Sequence, residues 1–167
     1  MRRARTLTEA ALFVNLSAGD VEPELTEGAE AWTMTAGEIE VEIPYAGEAE
    51  ARRAGERFGF GLSELIDAGQ WYLIALEYAR RAVHDDLGVA AGEDDLADDA
   101  RLNWEYARDA TMEVVKFLPP GAGEVPAGAF WTSEGRQAWQ EDPARFTGER
   151  LADDVAFYQE NLDELSA

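Results

Sequence analysis

The side chains that could do chemistry are few in kind. The chain holds one histidine and no cysteine. Thiolate nucleophiles, thiolate metal sites and disulfides are therefore excluded, and any imidazole chemistry falls to His84. In "RRAVHDD" His84 precedes Asp85 and Asp86, either of which could orient an imidazole as a general base. The same segment reads as the end of a helix, where a cationic imidazole suits the dipole without any catalytic partner. A serine hydrolase would draw its nucleophile from Ser17, Ser63, Ser133 or Ser166, but "GLSEL" around Ser63 lacks the second glycine of a nucleophile elbow. "GFGLSE" starts like a dinucleotide loop, yet Glu64 stands where the third glycine belongs and its carboxylate would repel phosphate. Three residues before His84 is Arg81, so the Glu-x-x-His pair of carboxylate-bridged metal bundles is missing. "EDDLADD" lacks the alternation and central glycine of a calcium loop and reads instead as an acidic helix start. The expectation is no catalytic residue, no cofactor and no metal. Paired-carboxylate chemistry stays only as an alternative, because among 35 acidic residues some pair can always be found.

Those acids are themselves the strongest signal. Asp and Glu number 35 against 14 Lys and Arg, a net charge of -21, and the only lysine is Lys116. Residues 37–45, "GEIEVEIPY", set Glu38, Glu40 and Glu42 in strict alternation with Ile39, Val41 and Ile43. Period two marks a half-buried strand, so the glutamates line one wet face about 7 Å apart. In water each neighbouring pair costs roughly 0.6 kcal/mol before screening. An acidic excess spread over the whole chain with almost no lysine resembles proteins of organisms that keep molar salt in the cytoplasm. There the Debye length falls to about 3 Å and self-repulsion is screened. A solvated, salt-adapted face is the expected reading of the glutamate row. Direct nucleic-acid binding is disfavoured, since no basic stripe exists beyond Arg2, Arg3 and Arg5. An acidic mimic that occupies a nucleic-acid-binding partner is the second alternative.

The elements that must position these residues are mostly helical. Thr6 and Glu9 form an S/T-x-x-E pattern at the head of a helix over 7–17, which argues for a mature helix rather than a secretory leader. Residues 20–28, acidic and containing Pro23, read as a connector. Strands at 31–35 and 38–43 make one small antiparallel hairpin at about 31–43, with Ala36-Gly37 as its turn. Helices follow at 48–58, 63–86 and 93–118, the last stopped by Pro119-Pro120. In the helix at 63–86, Leu73, Leu76 and Val83 continue one apolar stripe begun by Leu62, Leu65 and Ile66, while Trp71, Ile74 and Tyr78 make another. No run reaches the eighteen apolar residues that a membrane helix needs, so no membrane partner is expected.

The fold class predicted is mainly α: a helical bundle with that hairpin and a C-terminal helical arm. Residues 1–118 form the core, 119–129 a Pro/Gly-rich linker and 130–167 the arm, with a short helix near 133–140 and a last one at 148–165 capped by Thr147. Trp131, Trp139, Phe146, Leu151, Val155, Tyr158, Leu162 and Leu165 are the candidate partner-binding residues. The last five repeat at four and three residues, enough to lay a helix in a groove, and aromatics anchor interfaces. The alternative is that the segment folds back on its own core.

"TLTEAALFVNLSAGD" (6–20) resembles the opening helix of small head–tail adaptor proteins of tailed viruses through Leu7, Glu9, Ala10, Leu16 and Asp20. The long helix with Trp71-Tyr72 and the late arm suit the same plan. The resemblance implies a ring-forming virion neck component whose arm grips a neighbour or the portal. The expectation is thus a non-catalytic assembly protein, homo-oligomeric or part of a larger assembly. Its place would be the cytoplasm of a salt-accumulating host or a virion.

Overall fold

The computed structural model describes residues 1–167. The chain is mainly α, with 62% of residues in helix and 12% in a small sheet. It divides into two compact units, Met1–Ile66 and Asp67–Ala167. The boundary therefore falls ahead of the long helix, not in the Pro/Gly segment at 119–129.

The first unit contains β1 (Arg2–Arg3), α1 (Leu7–Ala18), β2 (Glu24–Glu27), β3 (Ala31–Ala36), β4 (Ile39–Pro44) and α2 (Tyr45–Ala54). The expected hairpin is there, β3 against β4, turned at Gly37 with φ 59°. It is the middle of a four-stranded sheet in the order β1-β4-β3-β2. The connector expected at 20–28 supplies β2, in which Leu25 lies opposite Met34 and Thr26 opposite Thr33. Pro23 sits just ahead of this edge strand, where a missing N–H costs no ladder bond. β1 runs parallel to β4, with Arg2 opposite Val41 and Arg3 opposite Glu42. On the apolar face Met34, Val41 and Ile43 are buried, as are Ala10 and Val14 of the α1 that packs on it.

Local caps set the helix limits. Thr6 accepts from the Glu9 N–H at 3.1 Å. The reciprocal half of the box is redirected, because Glu9 takes the Arg5 N–H at 2.7 Å and the Arg5 guanidinium at 2.8 Å. α2 begins straight after Pro44 and stops at Gly55, whose φ of 71° suits a glycine. A helix from 63 was expected, but the Ser63 hydroxyl accepts from the N–H groups of Leu65 and Ile66. That turn holds the backbone until Asp67 caps α3 (Ala68–Ala90).

The second unit continues with α4 (Ala97–Lys116), α5 (Ser133–Glu141) and α6 (Gly148–Ser166). α3 and α4 form an antiparallel hairpin: the Tyr78 and Tyr106 rings lie tilted with centroids 4.5 Å apart, and farther along Asp85 accepts from Asn103. Small residues let the two approach, with Ala75 and Ala82 of α3 and Ala100, Ala107 and Ala110 of α4 all buried. α6 lies along α4, where Trp104, Ala107, Ala82, Tyr158 and Leu162 make one core cluster. Residues 119–129 are fastened rather than free. Val125 is buried and its N–H donates to Phe146 O at 2.9 Å, while Gly148 N–H donates to Gly123 O at 2.9 Å. The expected arm is thus part of the core of its own unit. No helix is long and apolar enough to cross a membrane.

Candidate functional site

His84 projects from the solvent side of α3 into a cleft of about 470 Å³ lined by Arg80, Arg81, Asp85, Asp99 and Asn103. The carboxylates that could orient its imidazole are occupied elsewhere. Asp85 accepts from Asn103 Nδ2 at 2.7 Å, and Asp86 accepts from the Trp104 indole N–H at 2.8 Å. Both bonds staple α3 to α4. Ser63 is buried and accepts its two backbone N–H groups, and Ser166 accepts from Arg101 at 2.9 Å and donates to Leu162 O. The structure does not bring any serine hydroxyl together with His84 in a hydrogen bond, and it forms no group of three or more acidic or histidine side chains able to hold a metal ion.

The glutamate row has a structural answer in the sheet register. Glu40 lies opposite Thr35 and Glu42 opposite Thr33, so no acid faces another across the β3–β4 pair. Arg3 of β1 then brings its guanidinium to 3.6 Å from Glu42. In the same unit a hollow of about 350 Å³ is lined by Arg5, Pro44, Glu50, Phe60, Leu62 and Glu64, among others. Its Arg5 is held by the buried Glu9 carboxylate and by Gly61 O. The apolar shelf there is short, and both signs of charge border it.

A cluster that the sequence reading missed surrounds Tyr72 of α3. The Arg145 guanidinium lies 5.5 Å from the Tyr72 ring, and Arg150 bonds Asp154 at 3.1 Å in the first turns of α6. Burial pushes the Tyr72 phenol above its ordinary pKa, with Arg145 opposing. Burial, with Asp154 and Tyr72 nearby, pushes Tyr158 up to about 12. Burial also raises the Asp154 carboxyl, against its bond to Arg150. Phenols so placed stay protonated at neutral pH, which suits hydrogen-bond donation and not acid–base exchange. Only the Tyr and Arg content of 145–158 hinted at this cluster, because Tyr72 is far away in sequence.

The eight residues expected to bind a partner meet their own unit instead. Phe146 is enclosed between Tyr72 and Phe130, at 5.1 and 4.9 Å between ring centroids. Leu151, Tyr158 and Leu162 are buried, Leu165 packs at the edge of the Trp104 cluster, and Val155 is half-buried. Trp139 stacks on Phe130 at 5.1 Å. Trp131 alone of the eight is largely open, at 41% exposure, although its ring lies 5.9 Å from that of Phe117. The exposed apolar row is on α3: Leu73, Leu76, Val83 and Leu87, at 39, 38, 46 and 66%. Of the two stripes read in this helix, the one with Trp71, Ile74 and Tyr78 turns inward and the leucine stripe turns out. No family model, curated protein or solved structure matches the chain.

Proposed function

We propose that this chain is a non-catalytic assembly protein that works through protein–protein contact in a high-salt medium. The observation that carries the proposal is the row Leu73, Leu76, Val83 and Leu87, partly exposed along the middle and C-terminal part of α3. Burying one such side chain is worth about 1.5–3 kcal/mol before ordering costs. A row of them on a helix otherwise locked to α4 and α5 is a prepared contact surface. The gripping element of this proposal is α3, not the C-terminal segment, whose stripe is spent in the chain's own core. The engagement of Asp85, Asp86 and Ser63 in structural bonds also favours a role without catalysis.

The finer reading, a virion neck component of a tailed virus of a salt-accumulating host, rests on the resemblance in residues 6–20 and on the -21 net charge. Sedimentation velocity between 0.1 and 3 M KCl tests the general proposal. The expected result is a mass above the 18.4 kDa of one chain at 3 M KCl, rising with protein concentration. A single-chain mass at every salt and concentration overturns it.

A further inference from the structure

We infer that the hollow beside Phe60 in the first unit binds a small organic cation, an ammonium or guanidinium head carried on a short apolar body. All its lining residues lie within Met1–Ile66, so this site is separate from the exposed row on α3. The loop that shapes the hollow displays apolar side chains instead of burying them. Phe58 is buried, yet Phe60 and Leu62 on the same loop stay 49 and 51% exposed. Local chemistry fixes them in that position. Gly59 and Gly61 take φ of 100° and 74°, and a Cβ on Gly59 would stand 2.6 Å from the Arg5 Cβ. The Arg5 guanidinium donates to Gly61 O, the Thr6 hydroxyl donates to Arg57 O, and the Ser63 hydroxyl holds the next turn. Apolar groups held in place beforehand lower the ordering cost of binding. Pro44 and Ala46 extend the apolar lining around a volume of about 350 Å³, the scale of a small-ligand pocket.

Charge decides the sign of the head. Arg3, Arg5, Glu50 and Glu64 all border the hollow. Arg5 is fully engaged: Nε and Nη2 donate to the buried Glu9 carboxylate, and Nη1 donates to Gly61 O. Arg3 lies 3.6 Å from Glu42. The side chains of Glu50 and Glu64 form no ion pair or hydrogen bond within the chain. With each arginine balanced by an acid of its own, two uncompensated carboxylates remain, which repel an anion and attract a cation. The exposed Phe60 ring adds a face that attracts a cation too. A bare metal ion would gain nothing from Leu62, Pro44 and Ala46, whereas a hydrocarbon body is driven onto them out of water.

Hexylammonium, hexanol and hexanoate carry one body with a positive, a neutral and a negative head. Each is titrated into the ¹⁵N-labelled chain in KCl at 1 M, where a Debye length of about 3 Å screens diffuse attraction and leaves close contacts. Hexylammonium should shift the amide resonances of Ala46, Gly47, Phe60 and Leu62 saturably, and the other two should not. Glu50→Gln/Glu64→Gln should raise its dissociation constant at least about tenfold, and Phe60→Ala about threefold. Glu22→Gln/Glu24→Gln removes the same charge from an exposed stretch elsewhere and should leave the constant unchanged. All five positions are exposed, and the spectrum of each variant checks its fold. A blocked peptide, acetyl-Ala-Lys-Ala-amide, separates the two sources of such a cation. Shifts at the same resonances assign a lysine of another protein, and binding of hexylammonium alone assigns a free ligand. The cation site is overturned if hexylammonium gives no saturable shifts, or if hexanol or hexanoate binds equally well. It is also overturned if the change at Glu50 and Glu64 weakens binding no more than the change at Glu22 and Glu24.

Discussion

Gly135→Ala should be among the most destabilising single-methyl additions this chain can receive. Asp67 is fully buried and accepts three hydrogen bonds, from Gln70 N–H at 2.8 Å, Thr132 N–H at 2.7 Å and Thr132 Oγ1 at 2.7 Å. One carboxylate thereby caps α3 and fixes Thr132, which in turn caps α5 by accepting the Gly135 N–H at 3.0 Å. A Cβ built on Gly135 would stand 2.5 Å from the Asp67 Cγ and closer still to both carboxylate oxygens. Gly69 of α3 meets the same place from the other side, 2.7 Å from the Gly135 carbonyl carbon if given a Cβ. The methyl must therefore push α5 away or turn the carboxylate off its donors. Overpacking of this kind costs about 1–3 kcal/mol, and loss of one charge-assisted bond roughly 1.5–3 more. Together these reach about 2.5–6 kcal/mol. For a domain of about 100 residues each kcal/mol shifts the melting temperature by roughly 4–8 °C, so a drop of at least about 10 °C is expected. Gly128→Ala is the control, because a Cβ there meets nothing within 4 Å. Thermal melts by circular dichroism at 3 M KCl compare the two. If Gly135→Ala melts within about 2 °C of Gly128→Ala, the clasp between α3 and α5 is not as described.

The remaining expectations are brief. The melting midpoint should rise between 0.1 and 3 M KCl, since screening relieves the self-repulsion of a -21 chain; a flat or falling curve removes the salt-adapted reading. Tyr158 has a folded-state pKa raised to about 12 by burial, so the unfolded chain gives up this proton first and stability is lost as pH climbs from about 10 to 12. That loss amounts to about 2–3 kcal/mol, and Tyr158→Phe should shrink the fall in melting temperature over this range; an unchanged fall argues against its burial. Leu162→Asp places a charge in the Trp104 cluster and should unfold or strongly destabilise the chain, whereas a folded chain with altered mass would return Leu162 to an interface.

Much of the frame was legible because it rests on local chemistry. Thr6 and Thr147 cap their helices as the sequence suggests, Gly37 turns the hairpin, and Pro119-Pro120 follows the end of α4. What escaped was non-local. β1 pairs in the ladder as two arginines, which carry no strand pattern to read, although Arg3 also reaches Glu42. β2 hides in an acidic, proline-containing stretch because an edge strand needs little side-chain burial. The clasp at Asp67 joins residues 65 positions apart, and no local pattern links a capping aspartate to Thr132. Of the candidate site, apolar helical stripes were legible on α3 and in the C-terminal segment, but which of them stays exposed was not.

The burial of the C-terminal stripe has a physical cause. Aromatic content is a common mark of an interface, and Trp131, Trp139, Phe146 and Tyr158 concentrate it in the C-terminal segment. Large rings bury most area wherever a cavity fits them, and here the cavities belong to α3 and α4. Which stripe of α3 turns inward was decided by its smallest residues instead. Ala68, Ala75 and Ala82 share a face with Trp71 and Ile74, and Ala100, Ala107 and Ala110 repeat the pattern on α4. Alternating large and small side chains lets two helices close to interlocking distance, which a stripe of leucines and valine alone does not. The leucine face of α3 was therefore left over by the packing of its neighbour. Its side chains from Leu73 to Leu87 keep between 38 and 66% of their surface exposed, while at its N-terminal end Gly69 packs on Gly135 of α5.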